Sequence, residues 1–435
     1  MRDQQYIRAS AGSFPLFGIL TILFAASWPA AAIAQAQNQA WGVVAFANVN
    51  VVHTKREVIS KDQTVIVENG IISAVGSSDY LSIPQNATVI DGQGGYLLPG
   101  LCDMHVHFRK STDKSFLADY LRAGITCVRE MNGRPWLLQL RQEIESGTVV
   151  GPDLIIACPT IGNWSSPREG YSTPTTHDEA VRAVQRFADQ GYDWIKFYSF
   201  VGPEAFAGIV AQAAKSKIPL GGHVPVQMQL GDVLSTDITS IEHLTGYVDA
   251  CMTPESRALD QVDMRSVFHA GEIDQAQLDE VIRQTVNSGI WNCPTIIFFD
   301  QILPTDMAKE AWNQPHLREQ GYRNRRLITK SLYDAGARLV IGTDSDGGNR
   351  LPASTIVDEM IALESAGIPK WAVLRMATTS PAELLGRSNQ VGKISLGFRA
   401  NLVLIEANPL EDLNHLRRVA AVVVGGKVID VEPSQ

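Results

Sequence analysis

The feature that most constrains the fold is an alternation of short apolar runs with helical stretches between residues 99 and 386. Eight runs have the length of buried strands, and segments such as His177–Gln190 and Gln275–Ser288 have helical character. The candidate strands are Gly100–His105, Thr126–Glu130, Asp153–Ala157, Asp193–Phe197, Pro219–His223, Ser240–His243, Ile290–Pro294 and Arg338–Gly342. This α/β pattern predicts a (β/α)8 TIM barrel, whose usual size is about 250 residues. A doubly wound sheet is the alternative, but it normally has fewer strands, and the chain shows no glycine-rich phosphate loop.

The segments on either side of this region are rich in strand-like runs. Residues 35–98 include Thr64–Val75, in which Asn69-Gly70 is typical of a tight hairpin turn between two strands. Residues 387–435 contain similar runs at Ala400–Ile405 and Val419–Val424. We therefore predict a small β-sandwich domain built from both termini, beside a barrel over residues 99–386.

The first 34 residues have the features of a secretory signal peptide. Arg2 and Arg8 precede the apolar run Phe14–Ala26, and an A-x-A sequence ends at Ala34. We predict cleavage of residues 1–34 and export to the periplasm or the medium. An uncleaved anchor is the alternative, although the apolar run is shorter than the roughly 20 residues of a membrane span. No other membrane association is expected.

The charge and the cysteine pattern argue against nucleic-acid binding and against cysteine-based chemistry. The chain of 435 residues has a formal net charge of −9 and no block of lysine and arginine, so nucleic-acid binding has no electrostatic support. Its five cysteines show no C-x-x-C spacing. We predict that they are small core residues, not zinc ligands, nucleophiles or a disulfide framework.

The sequence His105-Val106-His107 ends the first predicted strand. Residues two apart on a strand point to the same face, so both imidazoles can bind one metal ion. Such a pair is weak evidence by itself, because two core or surface histidines explain it equally well. The apolar segment Leu98–Leu101 before it places the pair at the end of a strand, which favours a metal site.

Other candidate ligands follow later strands. His223 ends the fifth strand, His243 ends the sixth, and Asp344 follows the eighth. Each histidine alone is more often structural, but four of the nine in the chain fall at the carboxyl ends of strands. Barrel enzymes place their active sites at that end. Together the positions predict a metal centre.

Lys196 lies within the fourth predicted strand, where a buried ammonium group is costly. One explanation is an ion pair with a buried carboxylate such as Asp193 or Glu130. The other is that the neutral amine has reacted with CO2 to give a carbamate, an oxygen anion that can bridge two divalent ions. Sequence spacing does not distinguish the two.

These motifs resemble the amidohydrolase superfamily, in its subtype with a binuclear centre and a carboxylated lysine. Imidazolonepropionase-like and prolidase-like amidohydrolases are the most similar members. The resemblance covers nearly all of the chain after the signal peptide. It rests on Leu98–His107, Ala123–Glu130, Ile195–Tyr198, Gly222–Pro225, Ile241–Leu244, Ile341–Ser345 and Gly392–Leu404. Imidazolonepropionase itself lacks the bridging lysine and uses one metal, so Lys196 favours the dipeptidase-like branch.

The resemblance implies a ligand set and a reaction. One ion would be held by His105, His107 and Asp344, the other by His223 and His243, and carboxylated Lys196 would bridge both; zinc is the expected metal. The expected substrate is a small-molecule amide such as a dipeptide or an N-acyl amino acid. A hydroxide that bridges the two ions would attack the carbonyl carbon, and Asp344 would pass its proton to the leaving amine.

Several alternatives stay open at this point. Tyr198 and Arg129 are candidate substrate contacts, but Tyr198 could simply pack at the strand end and Arg129 could be a solvated loop residue. The same centre could hydrolyse an ester, lactone or phosphotriester. A deaminase usually resembles a one-metal pattern without the lysine, and a non-catalytic scaffold would typically have lost ligands. The resemblance also suggests a homo-oligomer.

Overall fold

The computed structural model describes residues 42–109, 114–162, 171–259, 270–298, 315–346 and 352–429. The predicted signal peptide lies outside these residues, so its cleavage and the export of the protein stay predictions. Within the described ranges, no helix combines the length and apolar character that crossing a membrane requires.

The secondary structure begins with strands, continues with alternating strands and helices, and ends with strands. The strands β1 to β18 are, in order, Val43–His53, Val58–Glu68, Ile71–Ser77, Ala87–Asp91, Tyr96–Pro99, Leu101–Val106, Ile125–Glu130, Asp153–Ile156, Thr160–Ile161, Tyr171–Ser172, Ile195–Phe197, Leu220–Gly222, Ser240–Glu242, Trp291–Cys293, Arg338–Leu339, Leu402–Ile405, Val419–Val424 and Lys427–Ile429. The helices α1 to α12 are Phe116–Arg122, Pro135–Glu145, His177–Asp189, Pro203–Ser216, Leu230–Leu234, Tyr247–Cys251, Pro254–Leu259, Gln275–Ser288, Pro315–Asp334, Thr355–Ser365, Lys370–Met376 and Thr379–Leu384. A short 3-10 helix covers Leu413–Arg417.

Eight parallel strands form a closed barrel, and they coincide with the eight predicted strands. β6, β7 and β8 pair in that order, and β11 to β15 pair successively. Single parallel bridges join the two groups, from Ala157 to Trp194 on one side and from Val106 to Ser345 on the other. The ring order is therefore β6, β7, β8, β11, β12, β13, β14, β15. The predicted (β/α)8 architecture is confirmed, and the doubly wound alternative is wrong.

Helices follow each barrel strand, and the two predicted from sequence are present as α3 and α8. The hydroxyl of Thr176 accepts a hydrogen bond from the backbone N–H of Glu179 at the start of α3. The carboxylate of Asp274 does the same for Gln277 at the start of α8. Each cap satisfies a backbone donor that the first turn of a helix leaves unpaired.

Strands from both ends of the chain share one sheet. Its order is β18-β17-β16-β5-β1-β2-β3, with β4 paired to β1. The antiparallel pair of β5 and β16 joins the N-terminal strands to the C-terminal strands in the middle of the sheet. The sandwich form of this region is not confirmed, and the predicted domain boundaries stay a prediction.

Two hairpin turns of this sheet touch each other. Asn69 and Gly70 connect β2 and β3 with φ angles of 52° and 78°, as the sequence predicted for a tight turn. Gly425 and Gly426 connect β17 and β18 with φ angles of 53° and 83°. A Cβ atom on Gly70 would lie 2.7 Å from the carbonyl oxygen of Gly425. Glycine is thus required at Gly70 both for the positive φ and for the close approach.

The sheet is attached to the barrel through a partly buried polar contact. Asp153, the first residue of β8, accepts hydrogen bonds from Arg399 at 2.9 Å and from Asn401 at 3.2 Å. The side-chain oxygen of Asn401 accepts another, at 2.9 Å, from the backbone of Gly425. The second hairpin turn is therefore linked directly to the base of a barrel strand.

Substituting Gly70→Ala should destabilise the protein more than Gly94→Ala. Gly94 has a similar φ of 80° but nothing within 4 Å of its Cβ position, so its substitution isolates the backbone cost, roughly 1–2 kcal/mol. At Gly70 the clash with Gly425 adds roughly 1–3 kcal/mol. Urea denaturation followed by circular dichroism measures the difference. Equal losses for the two variants would contradict the packing of the turns.

Candidate metal centre

The six predicted ligands lie at the carboxyl ends of barrel strands, around one end of the ring. Their positions are His105 in β6, His107 just after β6, Lys196 in β11, His223 after β12, His243 after β13 and Asp344 after β15. Because all barrel strands are parallel, these ends meet at the same rim. The structure therefore brings together residues separated by up to 239 positions in sequence.

Three of these residues form the tightest group. The Nε2 atoms of His105 and His107 are 3.3 Å apart. Oδ1 of Asp344 lies 3.6 Å from Nε2 of His105 and 3.1 Å from Nε2 of His107. One potential ligand atom from each residue lies within 4.8 Å of the others, as one metal ion requires. This is the trio that the resemblance assigned to the first ion.

His243 and His223 lie next to this group of three residues. The ring centroids of His105 and His243 are 4.4 Å apart, and those of His243 and His223 are 4.8 Å apart. Burial, followed by the charge of Lys196, lowers the pKa of His105 and of His223 well below the ordinary value. Burial also lowers the pKa of His243 to about 4. These three imidazoles are therefore neutral at physiological pH, which is the form that binds metal.

Neither carboxylate considered as an ion-pair partner of Lys196 occupies that role. Asp193 pairs with Arg141, and Glu130 accepts hydrogen bonds from the backbone N–H groups of Phe108 and Asn132. The Lys196 residue is only 2% exposed, and burial lowers its pKa to about 8. The neutral amine is therefore more easily formed near neutral pH than in an exposed lysine.

Neighbouring side chains hold three of the histidines through Nδ1. The contacts are 2.8 Å from His105 to Oε2 of Glu242, 3.1 Å from His223 to Oγ of Ser199 and 2.6 Å from His243 to Oγ1 of Thr295. Such partners orient a ligating imidazole and fix its tautomer. With Nδ1 engaged, Nε2 is the nitrogen that would bind the metal.

His107 and Asp344 form a close pair of opposite charge. Burial opposes the charged form of His107, but hydrogen bonds and charge from Asp344 and Glu130 outweigh it and raise its pKa to about 9. Burial also opposes ionisation of Asp344, yet His107 and the other histidines hold its pKa well below the usual range. Nδ1 of His107 lies 3.5 Å from Oε1 of Glu130, and its Nε2 lies 3.1 Å from Oδ1 of Asp344. Once His107 has lost its proton, imidazoles with a carboxylate are a donor set that suits zinc, so the residues fit a divalent metal centre.

Left-handed backbone occurs at three strand ends of the site. His243, Thr295 and Asp344 have φ angles of 61°, 48° and 60°. Such angles are rare for residues other than glycine, above all for a β-branched residue, and they cluster at functional sites. Next to Thr295, the buried carboxylate of Glu359 accepts hydrogen bonds of 2.9 and 2.7 Å from the N–H groups of Ile296 and Ile297. Helix α10 therefore supports the turn that presents Thr295 to His243.

Tyr198 lies beside the centre, as the strand alternation predicted. Its half-buried ring has its centroid 4.2 Å from that of His223. Tyr171 packs edge-on against it at 6.4 Å. The position is compatible with contact to a substrate.

Arg129 does not reach the open side of the centre. Its side chain is fully buried within β7, and Nη2 donates to both carboxylate oxygens of Glu242 at 2.9 and 3.0 Å. The expectation that Arg129 contacts substrate is therefore not supported, because no substrate can touch it there. The alternative of a solvated loop residue is wrong for the same reason.

The side chains that contact Nδ1 of the histidines, namely Glu242, Ser199 and Thr295, were not predicted from sequence. The role of Glu242 could have been predicted from sequence. Glu242 is a charged residue within an apolar predicted strand, as Lys196 is within another. The same burial argument that drew attention to Lys196 applies to it. Ser199 and Thr295 had no such signal, since hydroxyl side chains after strands are common. The five cysteines are buried and free, as predicted.

Comparison with known proteins gives consistent results. A model of the amidohydrolase family matches residues 96–429. Ochratoxinase from Aspergillus niger is 22% identical over 441 residues, covering 85% of this chain and 83% of its own. A 5-methylthioadenosine/S-adenosylhomocysteine deaminase from Bacillus anthracis is 21% identical and covers 88% and 92%. A solved structure from Bifidobacterium longum, assigned as a prolidase, has a TM-score of 0.74 at 23% identity and covers 91% and 96%.

Replacing Thr295 with valine should weaken metal binding while keeping the β-branched shape. The variant loses the hydroxyl that meets Nδ1 of His243, and loss of such a partner typically costs about 10- to 100-fold in metal affinity. Thr295→Ser keeps the hydroxyl and should stay close to wild type. Competition with a chromogenic chelator measures both. Wild-type affinity in Thr295→Val would show that this contact does not orient His243.

Proposed function

The chain belongs to the amidohydrolase family, and we propose that it is a metal-dependent hydrolase that cleaves the amide bond of a small molecule. The observation that carries the proposal is the close group of His105, His107 and Asp344, with His243 and His223 beside it. Dipeptides and N-acyl amino acids are the proposed substrate class. Relatives named ochratoxinase and prolidase support hydrolysis of a C–N bond.

The proposed centre holds two divalent ions, with zinc as the expected metal. His105, His107 and Asp344 would bind one ion, His223 and His243 the other, and carboxylated Lys196 would bridge both. The carbamate forms when the neutral amine of Lys196 adds to the carbon of CO2 and loses one proton. Deep burial, the lowered pKa of about 8 and the engagement of Asp193 and Glu130 elsewhere all support this modification.

Bound divalent ions would supply Lewis acidity, which lowers the pKa of water and polarises a carbonyl group. Asp344 would take the proton of the attacking water as oxygen adds to the carbonyl carbon. The same carboxylate then returns the proton to nitrogen as the C–N bond breaks, giving a carboxylic acid and an amine. Tyr198, beside His223, would donate a hydrogen bond to a substrate oxygen.

Two parts of the proposal concern the setting of the enzyme. We propose export to the periplasm or the medium, on the evidence of the signal-like residues 1–34. We also keep the homo-oligomer that the resemblance suggested. Hydrolysis of an ester, lactone or phosphotriester by the same residues is the alternative activity, and deamination is a further one because a relative is named for it.

Metal analysis of protein prepared without chelator should find about two divalent ions per chain. Lys196→Ala should lose most of the second ion, because no bridging oxygen anion can form. Lys330→Ala is the control, since Lys330 pairs with Asp334 one turn further along α9. Near-zero metal in the wild-type protein would instead favour a non-catalytic scaffold.

A hydrolysis screen should identify the substrate class. The panel contains dipeptides, N-acyl amino acids, aryl amides, lactones and 5′-modified adenosines, with Lys196→Ala as the blank. We expect amide hydrolysis, and we expect Asp344→Asn to lower kcat by about 10²- to 10⁴-fold through loss of proton transfer. Unchanged turnover in Asp344→Asn with metal still bound would remove Asp344 from this role. Activity on lactones or adenosines alone would replace the amide proposal.

A further inference from the structure

We propose that Arg129 is a positioning residue, which holds Glu242 against His105 and so fixes the orientation of this imidazole at the metal centre. The inference rests on the proposed metal centre. It assigns a role to a buried charge pair that the proposed reaction does not itself use.

Each nitrogen of the Arg129 guanidinium donates a hydrogen bond. Nη2 donates to both oxygens of Glu242, Nη1 donates to Oγ of Ser240 at 3.1 Å, and Nε donates to the carbonyl oxygen of Met104 at 2.7 Å. Ser240 in turn donates to Oε1 of Glu242 at 2.5 Å. Because Nε and Nη1 hold the planar guanidinium at Met104 and Ser240, Nη2 approaches the Glu242 carboxylate from a fixed direction. Oε2 of Glu242 is thereby left facing Nδ1 of His105 at 2.8 Å.

Arg129 acts on His105 at two points. Its contact with Glu242 reaches the imidazole ring, and its contact with Met104 holds the backbone one residue before His105. The guanidinium of Arg129 thus holds both the strand that carries His105 and, through Glu242, the imidazole ring of His105. A ligand held at backbone and ring has little freedom to rotate away from the metal.

The ion pair of Arg129 and Glu242 joins strands on opposite sides of the barrel. Arg129 belongs to β7 and Glu242 to β13, which lie four places apart in the ring of eight strands. The guanidinium lies over the ring of Trp194, 4.7 Å from its centroid. Both charged side chains are fully buried, where barrels normally place branched apolar residues. An apolar cluster that includes Met104, Trp194 and Trp291 occupies the same interior.

Stability alone does not explain this arrangement. Removing two charges from water costs about as much as their attraction returns, so a buried pair is often no more stable than apolar residues of the same size. The contact of Glu242 with the proposed ligand His105 gives the charge pair a role in orienting that imidazole. His223 and His243 have hydroxyl partners, whereas His105 faces a carboxylate, which raises the basicity of the ligating nitrogen.

The test uses Co2+ as the metal in the full-length protein. Arg129→Lys keeps the charge but loses the planar guanidinium that contacts Met104, Ser240 and Glu242 together, and Glu242→Gln keeps the shape but loses the charge. We expect each to lower Co2+ affinity about 10- to 100-fold, and to change the visible absorption spectrum of bound Co2+, which reports ligand geometry. Arg141→Lys is the control, because it weakens a different arginine–carboxylate pair, the partly buried one with Asp193, which does not contact a ligand. It should leave affinity and spectrum unchanged.

Thermal denaturation checks that each variant is folded. If Arg129→Lys does not fold, Ser240→Ala replaces it, since it removes one hydrogen bond to each partner and keeps both charges. We expect that variant to lower affinity several-fold with a smaller change in the spectrum. Folded variants with wild-type affinity and spectrum would overturn the positioning role while leaving the proposed function intact. A wild-type protein that binds no Co2+ would overturn the proposed function, and the inference with it.

Discussion

Closure of the barrel between its first and last strands is the contact on which the site depends. The backbone N–H of Asp344 donates to the carbonyl of His105 at 2.8 Å, and that of His107 donates to Ser345 at 2.7 Å. These bonds complete the ring and place the Asp344 carboxylate beside both histidines. Gly342 permits the approach, because a Cβ there would lie 2.6 Å from Cβ of His105. The same few bonds therefore make both the fold and the first metal-binding group.

Strand order and ligand positions could be predicted because they follow from short-range patterns. Apolar runs such as Arg338–Gly342 mark buried strands, and the two-residue period of a strand places both His105 and His107 on one face. Parallel strands then bring their carboxyl ends together without any further information. Lys196 was identified because a charged residue in an apolar run requires a reason.

The details that orient the ligands could not be predicted in the same way. Thr295 meets His243 only because the chain adopts a left-handed turn after β14, and this turn depends on Glu359 from a helix much later in sequence. Arg129 lies inside the predicted strand Thr126–Glu130, but strand alternation does not show whether its side chain meets substrate or the barrel interior, and in the structure it is fully buried inside the barrel. Its partner Glu242 lies across the ring, a relation that requires the complete topology.

The sheet shared by both termini has a consequence for the order in which the protein is made. β5 lies between β1 and β16, so its outer edge stays unpaired until the C-terminal strands have been synthesised. In a chain that ended before β16, the edge of β5 would be unpaired and could pair with other chains. Such a truncated chain would be prone to aggregation even though all its metal ligands were present.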